Sequence, residues 1–355
     1  DNYLDPADDY AVIGSSQYGN FYLSPDGGIT GTGIGANVNS ESAEWVTPIV
    51  ADYNNPGTLY AGFSTIVTQS LDGGNTWSGL SPLPSNGIND NEMTALAVAN
   101  TNANVIYATR RIRFEFSSPG GVYRTTNGGN TWTDITSALP DSLYYTSIDV
   151  SYTDANTAYV AMAGLVPGVK VFKTNDAGAT WKNISFNLPN APVNCIKTVF
   201  GSSALLAGTD FGVYRFDAAS SVWTNESSGL PNVIVSDIEF NAVLDKAYVA
   251  TFGRGIWETT LSSLLSGQQD TSPLEAGISL YPNPNSGSFT IALLQTEVMN
   301  ESLQLEIIDI AGRTVFSKRL EGKLSYRLNL KLDLGMYFAK VKNKKLNGVK
   351  SFVIQ

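Results

Sequence analysis

The chain has no histidine and a single cysteine. Disulfides within the chain, imidazole general bases, histidine metal ligands and Cys/His nucleophile pairs are therefore excluded, and any catalysis would rest on carboxylates, tyrosine, lysine or serine. Basic residues are scarce, 22 against 32 acidic ones, for a net charge of −10. No apolar run approaches the roughly 18 residues of a membrane-spanning helix. Residues 1–20, beginning DNYLDPADDY, have neither the basic start nor the apolar stretch of a secretory leader. The expectation is a chain whose leader has been removed, with no metal and no cofactor.

What is present is enough apolar sequence, 43% of 355 residues, to bury a large domain and a small one. Charge is distributed unevenly. Residues 1–275 carry 11 basic and 26 acidic side chains, net −15, whereas residues 276–355 carry 11 and 6, net +5. The acidic body offers no basic stripe to displace counterions, so nucleic acid is not an expected partner.

The body repeats. Trp77, Trp132, Trp181 and Trp223 stand 55, 49 and 42 residues apart, roughly one four-stranded propeller blade each. Every unit shows the same order of short runs, as in MTALAVA, VIYATR, GVYRTT and TWTDIT, with Gly/Asn/Asp turns between them and no helical periodicity. This pattern predicts an all-β chain whose residues 1–262 form a multi-bladed β-propeller with about six visible blades. The first unit is read as starting at a second strand and the last as stopping after a third. The two fragments do not complement each other, which implies one or more blades upstream of Asp1.

The stretches SLDGGNTW, TTNGGNTW and TNDAGATW fall between third and fourth strands. Glycines there take positive φ at little cost, and the Asp or Asn oxygen can accept the turn's own N–H groups. Position 127 is Asn where 72 and 176 are Asp, so charge is dispensable and the motif is architectural. Its residues are Ser70, Asp72, Gly74, Thr76 and Trp77, then Asn127, Gly129, Thr131 and Trp132, then Asp176, Gly178, Thr180 and Trp181.

S/T-x-D-x-G-x-T-W resembles the Asp-box of the BNR-repeat propellers, which include sialidases, xyloglucanases and sortilin-type receptors. The resemblance covers about residues 10–260, with SPDGGIT at 24–30 as a copy lacking the Trp. It implies boxes on the periphery, away from the ligand face, and says little about function.

Residues 263–275 read as a Ser/Gly/Gln/Pro linker. Residues 276–355 then show about seven period-two strands, predicting a small Ig-like β-sandwich. YPNPNSGSF, IDIAGRTV, LGMYFAKV and a final apolar strand resemble the type A C-terminal sorting domain of the type IX secretion system of Bacteroidetes. The matching residues are Tyr281, Pro282, Asn283, Pro284, Gly287, Gly312, Gly335, Tyr337 and Lys340. The resemblance implies export through the periplasm and outer membrane, with an outer-membrane translocon and shuttle barrel as partners. It also implies cleavage by a surface sortase and anchoring to lipopolysaccharide. Lys340, Lys342, Lys344 and Lys345 form a basic run that suits an acidic partner.

For the propeller, a sialidase reading is disfavoured. Arg110, Arg111 and Arg113 crowd together, Arg124 and Arg215 lie in third strands, Arg254 stands alone, and no Arg-Ile-Pro segment occurs. A glycosidase needs two facing carboxylates; Asp52, Asp90, Glu92, Asp149, Asp237 and Glu239 are candidates. The reading that needs least is a polysaccharide- or protein-binding surface adhesin, with Tyr144, Tyr145, Asn89, Asn91 and Arg254 as possible contacts. A xyloglucanase-like hydrolase is the alternative, and a structural or gliding-motility surface protein remains open.

Overall fold

In a computed structural model of the chain, residues 2–4, 11–52, 54–55, 57–85, 91–113, 118–140, 142–199, 202, 204–227, 229–241, 245–265, 278–281, 285–293, 302–309, 313–321, 323, 325–342 and 347–354 are described. The chain divides into two compact units, Asp1–Asn241 with Lys246–Leu264, and Leu265–Gln355 with Ala242–Asp245.

Among the described residues, the first unit contains six antiparallel sheets with strands in chain order. They are β1 (Asn2–Leu4), β2 (Val12–Ser16), β3 (Asn20–Ser24) and β4 (Thr32–Ile34); β5 (Ile49–Ala51), β6 (Leu59–Gly62), β7 (Val67–Ser70) and β8 (Ser78–Gly79). Next come β9 (Met93–Val98), β10 (Ile106–Arg110), β11 (Gly121–Thr125) and β12 (Thr133–Asp134), followed by β13 (Tyr145–Val150), β14 (Ala158–Met162), β15 (Val171–Thr174) and β16 (Lys182–Asn183). The last two sheets are β17 (Val193–Thr198), β18 (Leu205–Thr209), β19 (Gly212–Asp217) and β20 (Val222–Asn225), then β21 (Val235–Asn241), β22 (Lys246–Thr251) and β23 (Gly255–Thr260). First strands pack beside one another in chain order, as in the predicted propeller.

One expectation is corrected. The first sheet does not begin at a second strand, because β1 pairs antiparallel with β2 from Asn2↔Gly14 to Leu4↔Val12. Three residues carry too little alternation to reveal a strand in the sequence. The last sheet has three strands, as read.

Apolar side chains from two neighbouring sheets fill each inter-blade core. Tyr60, Val67 and Leu83 meet Met93, Ile106 and Trp132, while Tyr107, Val122 and Ile135 meet Tyr145, Val160 and Trp181. Ala161, Val171 and Ile184 likewise meet Ile196, Leu205 and Trp223. The third-strand residue three before the box position is sealed in Phe21, Val67, Val122, Val171 and Val213, none more than 2% exposed. Its counterpart Ile256 in β23 is 74% exposed.

The box turns are closed by their own side chains. Asp72 accepts the Thr76 N–H at 2.8 Å and its hydroxyl at 2.6 Å, while the Ser70 hydroxyl donates to Asp72 and accepts the Gly74 N–H. Asp176 likewise accepts the Thr180 N–H and hydroxyl, while the Thr174 hydroxyl donates to Asp176 and accepts the Gly178 N–H. Asn127 reproduces them without charge, its Oδ1 accepting the Thr131 N–H and its Nδ2 donating to the Thr131 hydroxyl, both at 2.9 Å. Each turn also leans on the preceding sheet. A Cβ on Gly74, Gly129 or Gly178 would strike Ile13, Leu80 or Ile135, whereas one on Gly28 in the first sheet would meet nothing.

Among its described residues the second unit holds seven strands: β24 (Ile278–Tyr281), β25 (Ser288–Leu293), β26 (Leu303–Asp309), β27 (Thr314–Leu320), β28 (Ser325–Asn329), β29 (Gly335–Lys342) and β30 (Asn347–Ile354). Their sheets run β24-β25-β28 and β27-β26-β29-β30. Both sheets contribute to one core, Phe289, Ile291 and Leu328 packing with Leu305, Ile307, Val341 and Phe352, so the unit is a sandwich.

Candidate functional site

In an antiparallel blade, second-to-third-strand turns and the crossovers to the next blade lie at one end, opposite the boxes. Three such segments converge there. Glu44 comes from the β4–β5 crossover, Glu92 precedes β9, and Arg111 follows β10. Arg111 Nε lies 2.7 Å from Glu92 Oε2 and 3.1 Å from Glu44 Oε2, so one guanidinium clamps both carboxylates. Arg113 reaches Glu92 Oε1 at 3.2 Å, and the Ser42 hydroxyl donates to the same oxygen at 3.0 Å. Tyr144, a hundred residues beyond Glu44, donates its phenol to Glu44 Oε2 at 3.2 Å.

The charges respond to this geometry. Burial raises the Glu92 pKa, but Arg111 and Ser42 more than offset that and hold its carboxyl below the ordinary value. Burial opposes the Arg111 charge, and Glu92 with Glu44 reinforces it above its usual range. Tyr144 is pushed well above its ordinary value, by burial first and by Glu44 second.

Two aromatic rings stand exposed beside the clamp. Tyr18 and Trp45 are 58% and 55% exposed and meet edge to face, centroids 5.3 Å apart at 80°. Glu44 Oε1 accepts the Trp45 N–H at 2.9 Å, tying the pair to the carboxylates. Tyr18 sits in the left-handed region, φ 59°, ψ 43°, a strained placement for a residue with a side chain. Gly19 beside it packs on the Phe63 ring, where a Cβ would come within 2.7 Å.

A second charged group lies on the first strands β13, β17 and β21. Lys197 pairs with Glu239, and Asp149 accepts the Thr198 N–H at 2.6 Å and its hydroxyl at 2.8 Å. Burial raises the pKa values of both Asp149 and Asp237, with Lys197 partly offsetting it. Among the described residues, no group of three or more His, Cys, Asp or Glu side chains is arranged to hold a metal.

The other sequence candidates are scattered. Tyr145 is wholly buried and donates to the Pro140 carbonyl, so it packs the core and cannot reach a ligand. It is the first residue of β13, whereas Tyr144 stands just before the strand. Asn91 is buried and donates to the Pro119 carbonyl. Arg254 is exposed in the β22–β23 turn, its carbonyl accepting the Trp257 indole N–H. Asp52 caps its own turn through Asn54 and Asn55. Asn89 and Asp90 lie outside the described residues. Sequence reasoning missed Tyr18, Ser42, Glu44 and Trp45, which only the fold brings to Arg111.

In the second unit, Tyr281 ends β24, backbone-paired with Thr290. Gly287 has φ 93° and donates to Asn285 Oδ1, and its carbonyl accepts the Leu330 N–H. A Cβ at Gly287 would lie 2.2 Å from the Leu330 carbonyl oxygen. Gly335 opens β29 at φ 148°, Tyr337 stacks on Phe352, and Lys340 stands opposite Glu306. Pro282, Asn283, Pro284 and Gly312 lie outside the described residues.

Sequential antiparallel sheets locked by Asp-boxes define a BNR-type β-propeller. The chain belongs to the family described as Photosynthesis system II assembly factor YCF48, which matches residues 83–270. Residues 279–355 match the Secretion system C-terminal sorting domain, the export signal of type IX secretion, and the chain is directed by that route to the cell surface or outside. Among solved structures, YCF48 from Cyanidioschyzon merolae is 13% identical, with 82% of this chain and 90% of that one covered and a TM-score of 0.48. An ancestral GH74 enzyme is 14% identical over 99% of this chain, with a TM-score of 0.49, and this chain spans 50% of its length. The GH74 xyloglucanase from Xanthomonas campestris is 12% identical, covering 99% and 67%, with a TM-score of 0.39. No curated protein matches the chain.

Proposed function

We propose that the chain is a surface adhesin whose propeller, residues 1–262, binds polysaccharide at the Tyr18–Trp45–Glu44 face. In this reading residues 263–275 are a linker and residues 276–355 are handed to the translocon and shuttle barrel, then removed by a sortase that anchors the cargo to lipopolysaccharide. The observation that supports it is the exposed, edge-to-face Tyr18–Trp45 pair beside the clamped carboxylates. Aromatic faces stack on the apolar faces of sugar rings, and fixed carboxylate and guanidinium groups bond their hydroxyls. Strain at Tyr18 fits a residue whose position is held for a ligand.

A glycoside hydrolase is the second reading. It draws on Asp149 and Asp237, whose raised pKa values are what a general acid requires. A polysaccharide panel scored for retention and for new reducing ends separates the two. Retention lost in Trp45→Ala and Tyr18→Ala, without new reducing ends, is the expected result. New ends abolished by Asp149→Asn or Asp237→Asn would transfer the function to the hydrolase, and silence in both assays would refute polysaccharide as the ligand.

A further inference from the structure

Among the described residues, backbone pairing joins the two sheets of the second unit on one side only. Asn285, which follows β24, forms a parallel bridge to Ile354 of β30 and donates its N–H to the Val353 carbonyl. On the opposite side each sheet ends, in β27 and in β28. Among the described residues, nothing pairs with the outer edge of β27.

Strand β27 is far more exposed than β26, the inner strand it pairs with. Strand β26 alternates buried and half-buried residues throughout, whereas in β27 only Leu320 is buried. A bulge at Val315 leaves Phe316–Leu320 as a straight edge, with no proline or glycine to interrupt it. Rows of open N–H and C=O groups of this kind are templates for an added strand.

Basic charge runs along β27 and on through β28, with Lys318 and Arg319 on β27 itself. Between Arg313 and Lys331 stand six basic residues, Arg313, Lys318, Arg319, Lys323, Arg327 and Lys331, against the single acid Glu321. That excess of +5 equals the net charge of the whole 276–355 segment. All six side chains are exposed. Arg313 pairs with Asp309 at 2.8 Å and Arg319 with Glu321 at 2.9 Å, both arginines staying exposed, and Lys342, in the basic run that the sequence singled out, pairs with Glu306 at 2.9 Å. Like-charged edges repel, so a second copy is a poor occupant and an acidic strand a good one.

We propose that β27 is the docking edge of the sorting domain, on which an acidic, extended segment of the export machinery adds as a further strand alongside Lys318 and Arg319. The assignment rests on the sorting-domain reading and adds the surface and the chemistry of its partner. A polypeptide is favoured over an anionic lipid surface because only a strand satisfies the open backbone edge.

The test uses the full chain and two probes, an alternating Glu–Val decapeptide and vesicles of phosphatidylglycerol. Binding of the peptide should slow amide exchange at residues 314–320. It should weaken roughly tenfold, about 1.4 kcal/mol, in Lys318→Glu/Arg319→Glu and when alternate peptide amides are N-methylated. Lys318→Gln/Arg319→Gln should fall between, guarding against a folding defect. Equal binding by the N-methylated peptide, unchanged exchange at 314–320, or binding of vesicles alone would overturn the docking edge. In a host competent for type IX secretion, deleting residues 279–355 tests the sorting reading by itself. Export lost on deletion but unaffected by Lys318→Glu/Arg319→Glu would overturn the edge and leave that reading standing.

Discussion

The indole N–H of Trp181 donates to the main-chain carbonyl of Ile135 at 2.9 Å, fastening the box of one sheet to the sheet before it. Trp223 repeats the bond with Ile184 at 2.8 Å although its turn, FDAASSVW, has lost the box glycine. The turn that closes on itself and the ring that staples two blades are therefore separable, and the Trp77 indole donates instead to the Gly74 carbonyl of its own turn.

The glycine of the turn allows the staple to seat. Gly178 and Gly28 have nearly the same φ, 90° and 91°, but only Gly178 faces Ile135, where an added Cβ would come within 2.5 Å. Gly28→Ala should cost about 1 kcal/mol, the strain of a left-handed side chain. Gly178→Ala should cost about 3 kcal/mol, because overpacking is added to that strain. Urea midpoints of the two variants measure the difference directly.

A similar contrast separates Val122 from Ile256. Val122→Ala should destabilise by about 2 kcal/mol, since its methyls fill the core shared with Tyr145 and Val160. Ile256→Ala should change stability by less than about 0.5 kcal/mol, because the larger side chain already faces water. Equal losses from the two would show that Ile256 is covered in solution.

The boxes should titrate unevenly. The Asp72 and Asp176 carboxyls are held below their ordinary pKa, first by the hydroxyls and then by the amides of Thr76 and Thr180. A depressed folded-state value means that the contribution is complete above the unfolded pKa of 3.8 and is lost as pH falls through the folded one. The amide signals of Thr76 and Thr180 should therefore shift on acidification below about pH 4. The Thr131 amide, bonded to Asn127, should not move; NMR titration of the three provides the check.

Arg111→Gln should release Glu44 and Glu92 from their shared cation while Arg113 still holds one oxygen of Glu92. Glu92 is 3% exposed, so its carboxylate, left with Arg113 and Ser42 on one oxygen only, should lower stability at pH 7 by about 2 kcal/mol. With the guanidinium gone, burial prevails and the Glu92 pKa rises above its unfolded value. The loss should then shrink as pH drops towards 5, opposite to the parent, whose Glu92 contribution disappears only at lower pH. Thermal melts of both proteins between pH 5 and 8 test the crossing trends.

Much of the architecture was legible because repetition multiplies weak signals. MTALAVA by itself is an ambiguous apolar run; followed by VIYATR, GVYRTT and a box, and recurring blade after blade, it becomes a first strand. Where repetition fails, so does the reading. Asn2–Leu4 is too short to alternate, and its pairing with β2 follows from backbone geometry alone. The loop face is harder still, because Glu44, Glu92, Arg111 and Tyr144 come from four separate segments whose convergence depends on the blades between them. Tyr144 and Tyr145 look alike in a sequence, but Tyr144, just before β13, bonds Glu44 while Tyr145, which opens the strand, is sealed in the core.

Each of the three inter-blade cores described belongs to two adjacent sheets and to no third, as does the core in which Ile13 and Phe21 meet Ile49 and Leu59. Injury in such a molecule is registered by position. A cavity cut at Val160 weakens the sheets on either side of it, while distant sheets feel it only through their neighbours, as in other linear repeats. Amide protection should therefore decline as a gradient centred on the lesion, so that an exchange map alone would locate an unknown substitution to within a blade.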